Sequence, residues 1–416
     1  MNQRRVAITG LGLVSPYGGD LADFFTRLSA GESAIRYLLT DDQPRPLSIP
    51  FVNCPAFDPD AVLGKPLASM MDRFAQLGMA AAFGAWDDAG LPRQAEGESR
   101  DSWGVSWGTA LGGTLAYEKG YRELWQKGRE RLSPLAVVLG MNNAANAHIS
   151  IQLGLGGISM SHTVACASSA IAIGEAFRRV RSGEATIMLT GGSDVPQAYG
   201  VARAWEALRV MAPGDADTSS FACRPFGANR RGLVLGEGGA ALVLEDWEHA
   251  VARGARIHGE MLGYGTSCDH SHLVRPEVEG QVRALKLTLA DAGLTPADID
   301  YINAHGTATA EGDPVEIGAL KAVFGERAAR LPVSATKSMH GHLLGAAGAI
   351  EAIATVLALR EQVVPPTANL QDNLDPACTG VDHVTTGRRQ TLRAALSNSF
   401  AFGGSNAVLA FRAVAP

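Results

Sequence analysis

Short apolar runs alternate with helical segments along the whole chain, and this alternation limits the folds that the chain can adopt. The strands are predicted at Arg5–Thr9, Gly104–Trp107, Ile158–Val164, Thr186–Thr190, Ala240–Leu244, Tyr301–Ala304, Pro332–Ala335, Ala394–Ser399 and Ala407–Phe411. The helices are predicted at Asp72–Ala89, Ser168–Ser182, Glu279–Ala292, Asp313–Phe324 and Gly345–Leu359. Strands separated by helices favour an α/β fold. The loop near Ala255 is the predicted midpoint boundary.

Composition argues against several classes of protein. The chain has 416 residues, of which 46% are hydrophobic, and this is enough for a large buried core. A formal net charge of −6 argues against a nucleic-acid binder. The five cysteines are far apart and form no CxxC motif, so we expect neither a zinc site nor a disulfide framework, and a reducing cytoplasmic location. No run of about 20 apolar residues is present that could span a membrane.

A glycine pair near the start of the chain matches half of a dinucleotide-binding fingerprint. Gly10 and Gly12 follow the first predicted strand, as they do in such motifs. The third position is Ser15, however, and Pro16 follows it. No acidic residue ends a second strand about 20 residues further on, so we do not expect NAD binding. The same interruptions favour a first strand over a signal peptide.

A cysteine lies at a predicted strand-to-helix turn in ISMSHTVACASSAIAIGEAFRRV. The strand ends by Val164 and the helix begins near Ser168, which places Cys166 between them. A helix N-terminus carries partial positive charge and free N–H groups, and both favour a thiolate. The alternative is a small buried cysteine without a chemical role. His162 shares a strand face with apolar residues and is interpreted as a packed histidine.

A histidine ends another predicted strand, in YINAHGTATAEGDPVEIGAL. His305 lies just after that strand, where α/β proteins usually place their chemistry. Thr307 and Thr309 add two hydroxyl groups, and Glu316 lies in the helix that follows. The alternative is a turn histidine followed by an ordinary helix cap.

Two further histidines lie in KSMHGHLLGAAGA, which begins at Lys337. The small residues after them predict a helix that packs closely against another backbone. A buried lysine loses part of its preference for charge unless a carboxylate pairs with it, and Glu316 is a candidate partner. Local spacing does not decide whether His340 or His342 takes part in chemistry.

The last motif, SNSFAFGGSNAVLAF, places two phenylalanines before a pair of glycines. Gly403 and Gly404 permit a tight turn with exposed N–H groups after Phe400 and Phe402. Such N–H groups can stabilise an oxyanion. The alternative is a simple hairpin.

Taken together, these motifs resemble those of the β-ketoacyl-acyl carrier protein synthases, the condensing enzymes of the thiolase superfamily. The resemblance covers essentially the whole chain in six ordered segments: VAITGLGLVSP, ACASS, CRPF followed by LGEGG, NAHGTAT, KSMHGHLLGAAGA and SFAFGGSN. It is strongest to the elongating, discrete type II ketosynthases of fatty acid and polyketide assembly. It implies a five-layered αβαβα thiolase fold with two similar halves, 1–255 with the nucleophile and 256–416 with the catalytic histidines.

The resemblance also implies roles for individual residues. Cys166 would accept the acyl group, and His305 and His342 would be the two catalytic histidines. Lys337 and Glu316 would form a supporting ion pair. The residues implied in substrate binding are Thr307 and Thr309 for the phosphopantetheine arm, Phe400, Phe402 as a gate, and Leu111 on the acyl tunnel. The backbone N–H groups of Cys166 and Phe402 would form the oxyanion hole, and His340 would be a structural neighbour.

The implied reaction is a decarboxylative Claisen condensation. The acyl chain moves from a carrier protein to Cys166, which divides a difficult reaction into two steps. Malonyl-acyl carrier protein then loses CO2, and two neutral histidines stabilise the enolate where charge develops. The product is a β-ketoacyl-acyl carrier protein, and no metal or other cofactor is implied.

Some positions depart from the pattern of relatives in primary fatty acid synthesis. Four residues stand where those relatives usually carry acidic residues and an aromatic: Gly227, Asn229, Arg231 and Leu233. Ser69 and Met70 stand where basic carrier-binding residues are common, while Arg129 and Arg131 could supply positive charge elsewhere. These departures favour a specialised polyketide or polyene pathway.

Two other functions fit part of the sequence. A catalytically silent partner subunit, such as a chain-length factor, would lack the nucleophile that Cys166 supplies. A coenzyme A-dependent thiolase would carry a second catalytic cysteine near its C-terminus, whereas Cys378 lies in a DPACTG loop without such a motif. The family implies a two-fold homodimer, or a heterodimer with a homologous ketosynthase or chain-length-factor subunit.

Overall fold

The computed structural model describes residues 3–42, 44–95, 97–371 and 373–414. The strands are β1 (Val6–Val14), β2 (Arg36–Leu39), β3 (Ser48–Val52), β4 (Trp103–Gly108), β5 (Ser159–His162), β6 (Ile187–Asp194), β7 (Leu235–Gly236), β8 (Gly238–Asp246), β9 (Gly259–Cys268), β10 (Tyr301–Asn303), β11 (Pro332–Ser334), β12 (Val363–Val364), β13 (Asp382–His383), β14 (Arg388–Arg389), β15 (Ala394–Phe400) and β16 (Ser405–Arg412). The helices are α1 (Leu21–Ser29), α2 (Pro59–Leu63), α3 (Lys65–Ala68), α4 (Arg73–Asp88), α5 (Thr114–Trp125), α6 (Ala136–Gly140), α7 (Ala144–Leu153), α8 (Ser168–Ser182), α9 (Tyr199–Leu208), α10 (Trp247–Ala252), α11 (Val278–Ala292), α12 (Gly312–Phe324), α13 (Lys337–His340) and α14 (Ala347–Glu361).

Eleven strands form one mixed sheet in the order β13-β11-β10-β15-β16-β9-β1-β8-β6-β4-β5. The strands before residue 255 lie on one side of the contact between β1 and β9, and the later strands lie on the other side. That contact is short, because β1 pairs with β9 only over Val6–Ile8. The division into two similar halves stays a prediction.

Helices cover both parts of the sheet, and the predicted five layers are present. Helices α4 and α7 pack on the outer face of the β1, β4 and β8 region. Helices α8 and α14 pack against each other and lie between the two parts of the sheet. Helices α11 and α12 cover the outer face of the other part. Burial of both faces of the sheet is the reason that its strands read as continuous apolar runs.

Two groups of parallel strands place their carboxyl ends around the centre of the molecule. Strands β4, β5 and β6 run parallel, as do β10, β11 and β15. The segments that follow β5, β10, β11 and β15 are the four motifs singled out in the sequence. Carboxyl ends of parallel strands are where α/β proteins bind ligands, so the fold brings those motifs together.

The glycine pair of β1 serves packing, not dinucleotide binding. A Cβ atom on Gly10 would lie 2.0 Å from the Ala85 carbonyl oxygen, and one on Gly12 would lie 2.2 Å from that of Ala81. Both carbonyls belong to α4, so the glycines let this helix lie directly on β1. No helix within the described ranges is both long and apolar enough to cross a membrane.

Candidate active site

Cys166 lies in the turn between β5 and α8. Residues Ala165–Ala167 form a short 3-10 helix that leads directly into α8. The Ser168 hydroxyl fixes this turn, because its oxygen accepts from the Val164 N–H at 2.8 Å and donates to the Ala165 carbonyl at 2.7 Å. Ala165 has a φ of 44°, a strained value for a residue with a Cβ atom. The turn therefore holds the cysteine, 6% exposed, at the N-terminus of α8.

His342 faces this cysteine from the segment before α14. Its Nε2 lies 3.0 Å from the Cys166 Sγ. Its backbone N–H donates to the Val234 carbonyl at 2.7 Å, and its carbonyl accepts from the Gly236 N–H at 3.0 Å. Gly341 turns the chain with a φ of 70° just before it. The LGEGG segment thus positions the histidine by backbone pairing.

His305 lies beside both groups at the end of β10. Its ring meets that of His342 edge to face, with the ring centroids 5.4 Å apart. One side-chain nitrogen or sulfur atom from each of Cys166, His305 and His342 lies within 4.8 Å of the other two. All three side chains are buried. The three residues predicted to carry the chemistry are therefore in one cluster.

Hydrogen bonds determine which nitrogen of each histidine carries the proton. The Leu344 N–H donates to His342 Nδ1 at 3.3 Å. The Lys337 ammonium, which can only donate, lies 3.3 Å from His305 Nδ1. In a neutral ring with an accepting Nδ1, the proton is on Nε2. Both rings therefore have an Nε2–H donor.

The ion pair of Lys337 differs from the one predicted. Its ammonium contacts the carboxylate of Glu351 in α14, and both side chains are fully buried. The prediction of a pair with Glu316 is wrong because other donors occupy that carboxylate. Glu316 accepts from the backbone N–H groups of His305 and Gly306, each at 2.9 Å. It accepts as well from the side-chain amide of Asn398 at 3.0 Å, so Glu316 shapes the loop that carries His305.

Burial determines the protonation states at this site. It raises the pKa of the Cys166 thiol to about 11, although the charge of Lys337 and the N–H of Phe402 act in the opposite direction. Burial, followed by the charge of Lys337, lowers the pKa of His305 and of His342 well below the usual range. The cysteine is therefore a thiol and both rings are neutral at pH 7. The thiolate expected from the helix N-terminus is outweighed by desolvation.

A cavity of about 510 Å³ leads to this cluster. Thr307 and Thr309 line it, with their hydroxyl oxygens 3.1 Å apart. Phe400 lines it too, and its ring lies edge-on to that of His305 at a centroid distance of 6.1 Å. Three of the predicted substrate-binding residues thus lie on the wall of a cavity that ends at Cys166.

Phe402 lies on the same wall, beside Trp205, which the sequence did not single out. The two rings are stacked at 21°, with centroids 6.0 Å apart. The backbone N–H of Phe402 acts on the Cys166 sulfur and lowers its pKa, as does the N–H of Cys166 itself. The oxyanion hole formed by these two N–H groups stays a prediction.

Leu111 is not on the wall of this cavity. It packs with a separate apolar cluster that includes Phe51 and Leu344. Its backbone N–H donates to Asp194 Oδ1 at 3.2 Å. Its place on an acyl tunnel stays a prediction.

Asp194, at the end of β6, is a positioning residue that sequence reasoning missed. It is fully buried, and it accepts from the N–H groups of Ala110 and Gly345, each at 2.8 Å. Burial raises its pKa to about 6. By these bonds it joins the loop after β4 to the turn before α14. The available signal was an acidic residue that ends an otherwise uncharged strand.

The other two histidines considered have structural contacts. His162 Nε2 lies 3.1 Å from the Ser106 hydroxyl on the neighbouring strand. His340 is fully buried, with Nδ1 2.8 Å from the Gly341 carbonyl and Nε2 3.0 Å from the Thr336 hydroxyl. Burial lowers the pKa of His340 to about 3. Neither residue is part of the cluster around Cys166.

Cys166, His305 and His342 are close enough together, within the described part of the chain, to ligate a metal ion. The Lys337 ammonium beside His305 would repel a cation at that position. The absence of a metal or other cofactor stays a prediction.

Known proteins similar to this chain cover its full length. Two family models match, "Beta-ketoacyl synthase, N-terminal domain" over residues 3–250 and "Beta-ketoacyl synthase, C-terminal domain" over residues 258–371. Nodulation protein E of Rhizobium leguminosarum bv. trifolii is 43% identical over 99% of this chain and 100% of its own. 3-oxoacyl-[acyl-carrier-protein] synthase 2 of Coxiella burnetii is 39% identical over 98% of each chain.

Two solved structures show the same fold over 99% of this chain and 100% of theirs. One is the ishigamide ketosynthase/chain length factor, at 33% identity and a TM-score of 0.89. The other is a type II polyketide synthase acyl carrier protein in complex with its ketosynthase bound to the hexaketide, at 29% identity and a TM-score of 0.89. The chain therefore belongs to the β-ketoacyl synthase family, the thiolase-fold acyltransferases that carry out β-ketoacyl condensation in type II systems.

Proposed function

We propose that this protein condenses an acyl chain held on Cys166 with malonyl-acyl carrier protein, and that CO2 is lost in the process. The observation that carries the proposal is the 3.0 Å contact between Cys166 Sγ and His342 Nε2, in a buried site that includes His305. A nucleophile within hydrogen-bond reach of a basic or donor side chain is the mark of covalent catalysis.

In the first step the sulfur of Cys166 attacks the thioester carbonyl of an acyl-acyl carrier protein. A carbon–sulfur bond to Cys166 forms, the bond to the arm breaks, and the thiol proton leaves with the arm's sulfur. The N–H groups of Cys166 and Phe402 stabilise the oxyanion that forms in between. A thiol with a pKa of about 11 makes this proton transfer part of the step.

In the second step the malonyl group loses CO2 and the electron pair of that bond passes to an enolate. The Nε2–H groups of His305 and His342 donate to the enolate oxygen, where negative charge develops. The enolate carbon attacks the acyl-cysteine carbonyl, a carbon–carbon bond forms, and Cys166 leaves as its thiolate. Neutral rings suit this role because they donate a hydrogen bond without protonating the carbon. No metal or other cofactor takes part.

A specialised type II polyketide or polyene pathway is the proposed setting. The 43% identity to a nodulation protein supports a role outside primary fatty acid synthesis. So do the changes at Gly227, Asn229, Arg231 and Leu233, which replace the acidic and aromatic residues usual in housekeeping relatives. The test is a panel of saturated and polyenoic acyl-carrier donors, compared by their rate of loading onto Cys166.

The proposed partners are an acyl carrier protein and a second ketosynthase-like subunit, in the cytoplasm. Strand β5 ends the eleven-stranded sheet, and no strand of the described residues covers its outer edge. Helix α7 packs on β5 and α6 packs on α7. Val137 of α6 and Trp125 of α5 are 68% and 77% exposed, so both apolar side chains are available for a partner subunit to cover. This edge is where a homodimer, or a heterodimer with a chain-length factor, would form, each subunit built of halves 1–255 and 256–416.

Alanine variants of the two histidines in KSMHGHLLGAAGA test the proposed chemistry. His342→Ala should stop both decarboxylation and condensation, whereas His340→Ala should retain them if the variant folds. CO2 release and the mass of the β-ketoacyl-carrier product report the two steps. Loss of both steps in His340→Ala alone, or acyl transfer to free coenzyme A without a β-ketoacyl product, would contradict the proposal.

A further inference from the structure

Three arginines line the catalytic cavity without an acidic partner. Arg209, Arg231 and Arg275 all belong to its wall, and all three are exposed. Their guanidinium groups take no part in any ion pair or side-chain hydrogen bond among the residues that the structure describes. By contrast, Arg230 on the same wall is bound by the Thr309 carbonyl at 2.8 Å and by Asp375. The three arginines are therefore free to bind a ligand.

The buried acids of the cavity do not neutralise these arginines. Asp313 accepts from the backbone N–H groups of Phe226 and Ala308, at 2.7 Å and 3.1 Å. Asp269 accepts from the Asn406 amide at 2.7 Å and the Glu277 N–H at 3.0 Å. The Glu316 carboxylate accepts from the N–H groups of His305 and Gly306 and from the Asn398 amide. The remaining acid on the wall is the exposed Glu311. The surplus of positive charge favours an anionic ligand.

The position of these arginines indicates which part of a ligand they contact. Cys166 is buried, whereas the arginines are exposed and so lie at the open side of the cavity. A thioester that reaches Cys166 through a pantetheine chain places its reacting carbonyl at the buried end. The phosphate is at the opposite end of that chain, and it must therefore lie near the entrance.

We propose that Arg231 and Arg275, together with Arg209, bind the phosphate group of the phosphopantetheine arm. This inference rests on the proposed function, because it assumes a phosphopantetheine thioester in the cavity. Guanidinium groups form paired, charge-assisted hydrogen bonds to phosphate oxygens.

The test compares thioester donors that share one acyl chain and differ in their phosphate. The donors are acyl-pantetheine, acyl-phosphopantetheine, acyl-coenzyme A and acyl-acyl carrier protein, and intact-protein mass spectrometry follows acylation of Cys166. Arg231→Gln and Arg275→Gln should each raise the half-saturating concentration of the phosphopantetheine and carrier donors about tenfold, the ~1.4 kcal/mol of one charge-assisted hydrogen bond. Loading from acyl-pantetheine should not change, since it has no phosphate.

Two further variants control for general effects. Lys286→Gln removes an exposed cation that does not line the cavity, and it should leave every donor unaffected. Arg231→Lys keeps the charge and should recover most of the affinity that Arg231→Gln loses. Equal melting temperatures of the variants would show that they are folded.

Three results would overturn the inference. The first is wild-type use of acyl-pantetheine as readily as acyl-phosphopantetheine. The second is an effect of the variants on the carrier donor alone, which would place the arginines against the carrier's protein surface. An effect confined to acyl-coenzyme A would instead assign them to its nucleotide phosphates. In each of these cases acylation of Cys166 by any donor would leave the proposed function intact.

Discussion

The buried ammonium group of Lys337 influences the pKa of each catalytic side chain. It contacts Glu351 and lies 3.3 Å from His305 Nδ1, and its charge lowers the pKa of Cys166 and of both catalytic-site histidines. Burial raises the pKa of Glu351 to about 7. Glu316, by contrast, is held by the backbone of the loop it shapes.

A double-mutant cycle should separate the two glutamates. Removing one member of a buried ion pair leaves an uncompensated charge and costs about 3–5 kcal/mol. Glu351→Gln and Lys337→Met should therefore couple by roughly 2 kcal/mol when combined, as measured by chemical unfolding. Glu316→Gln with Lys337→Met serves as the control and should be closer to additive. Stronger coupling to Glu316 than to Glu351 would show that the pair is the one first expected.

The raised pKa of Cys166 makes its reactivity depend on pH. Below a pKa of about 11 the thiolate fraction rises about tenfold for each pH unit. Alkylation of Cys166 by iodoacetamide, measured on the isolated peptide, should therefore keep rising between pH 7 and pH 9. Cys166→Ser provides the background from the other cysteines. A plateau by pH 8 would mean that a thiolate is already stable in the unacylated protein.

The strands and helices around the site could be predicted largely from the sequence, because their apolar periodicity is local. All nine predicted strands and all five predicted helices are present; α8 has the predicted bounds, and the other elements are shifted at one or both ends. Strand β9 was missed because Gly263 and Gly265 interrupt its apolar pattern. Cβ atoms there would lie 2.7 Å from the Ala292 N and 2.5 Å from the Thr288 N, so both glycines allow α11 to pack closely on β9.

Hydrophobic periodicity could not predict the long-range polar contacts of the site. Cys166, His305, His342 and Lys337 each end or follow a parallel strand, and their motifs identified them. Glu351 pairs with a lysine 14 residues away, and Asp194 bonds to residues at least 83 positions away, so no helix or strand spacing marks either acid. A weak signal existed, since Glu351 is the only acid among the buried residues of α14, and such an acid needs a buried partner.

The small residues of α14 are predicted to be required for its contact with α8. A Cβ atom on Gly348 would lie 2.8 Å from the Ala170 Cβ and 2.8 Å from its N. Gly348→Ala should therefore destabilise the protein by about 1–3 kcal/mol through overpacking and lower the rate of acyl loading, because α8 carries the nucleophile. Its melting temperature and loading rate check both effects.

Gly318 of α12 is the matched control, since an added Cβ there would meet its nearest neighbour, Val278, at 3.4 Å. Gly318→Ala should be neutral or stabilise the protein by up to about 1 kcal/mol, the difference in helix propensity. If both variants behaved alike, close packing would not be the reason for the glycine at position 348.

The eleven-stranded sheet ends at β13 and at β5, and β5 is the longer of these two edge strands. An uncovered strand edge is open to pairing with another chain, and β5 is such an edge within the described residues. For a homodimer, we expect light scattering to give twice the 43.5 kDa chain mass. For a heterodimer, we expect about that mass only after a homologous subunit is added. A protein that stays monomeric in both experiments would contradict the proposed assembly.

Acylation of Cys166 is the event on which the proposed condensation depends. Incubation with an acyl-acyl carrier protein should add the mass of one acyl group to the intact protein, on the peptide that contains Cys166. Cys166→Ala should stay unmodified under the same conditions. Persistent acylation of that variant, or none in the wild-type protein with any donor, would contradict the assignment of Cys166 as the nucleophile.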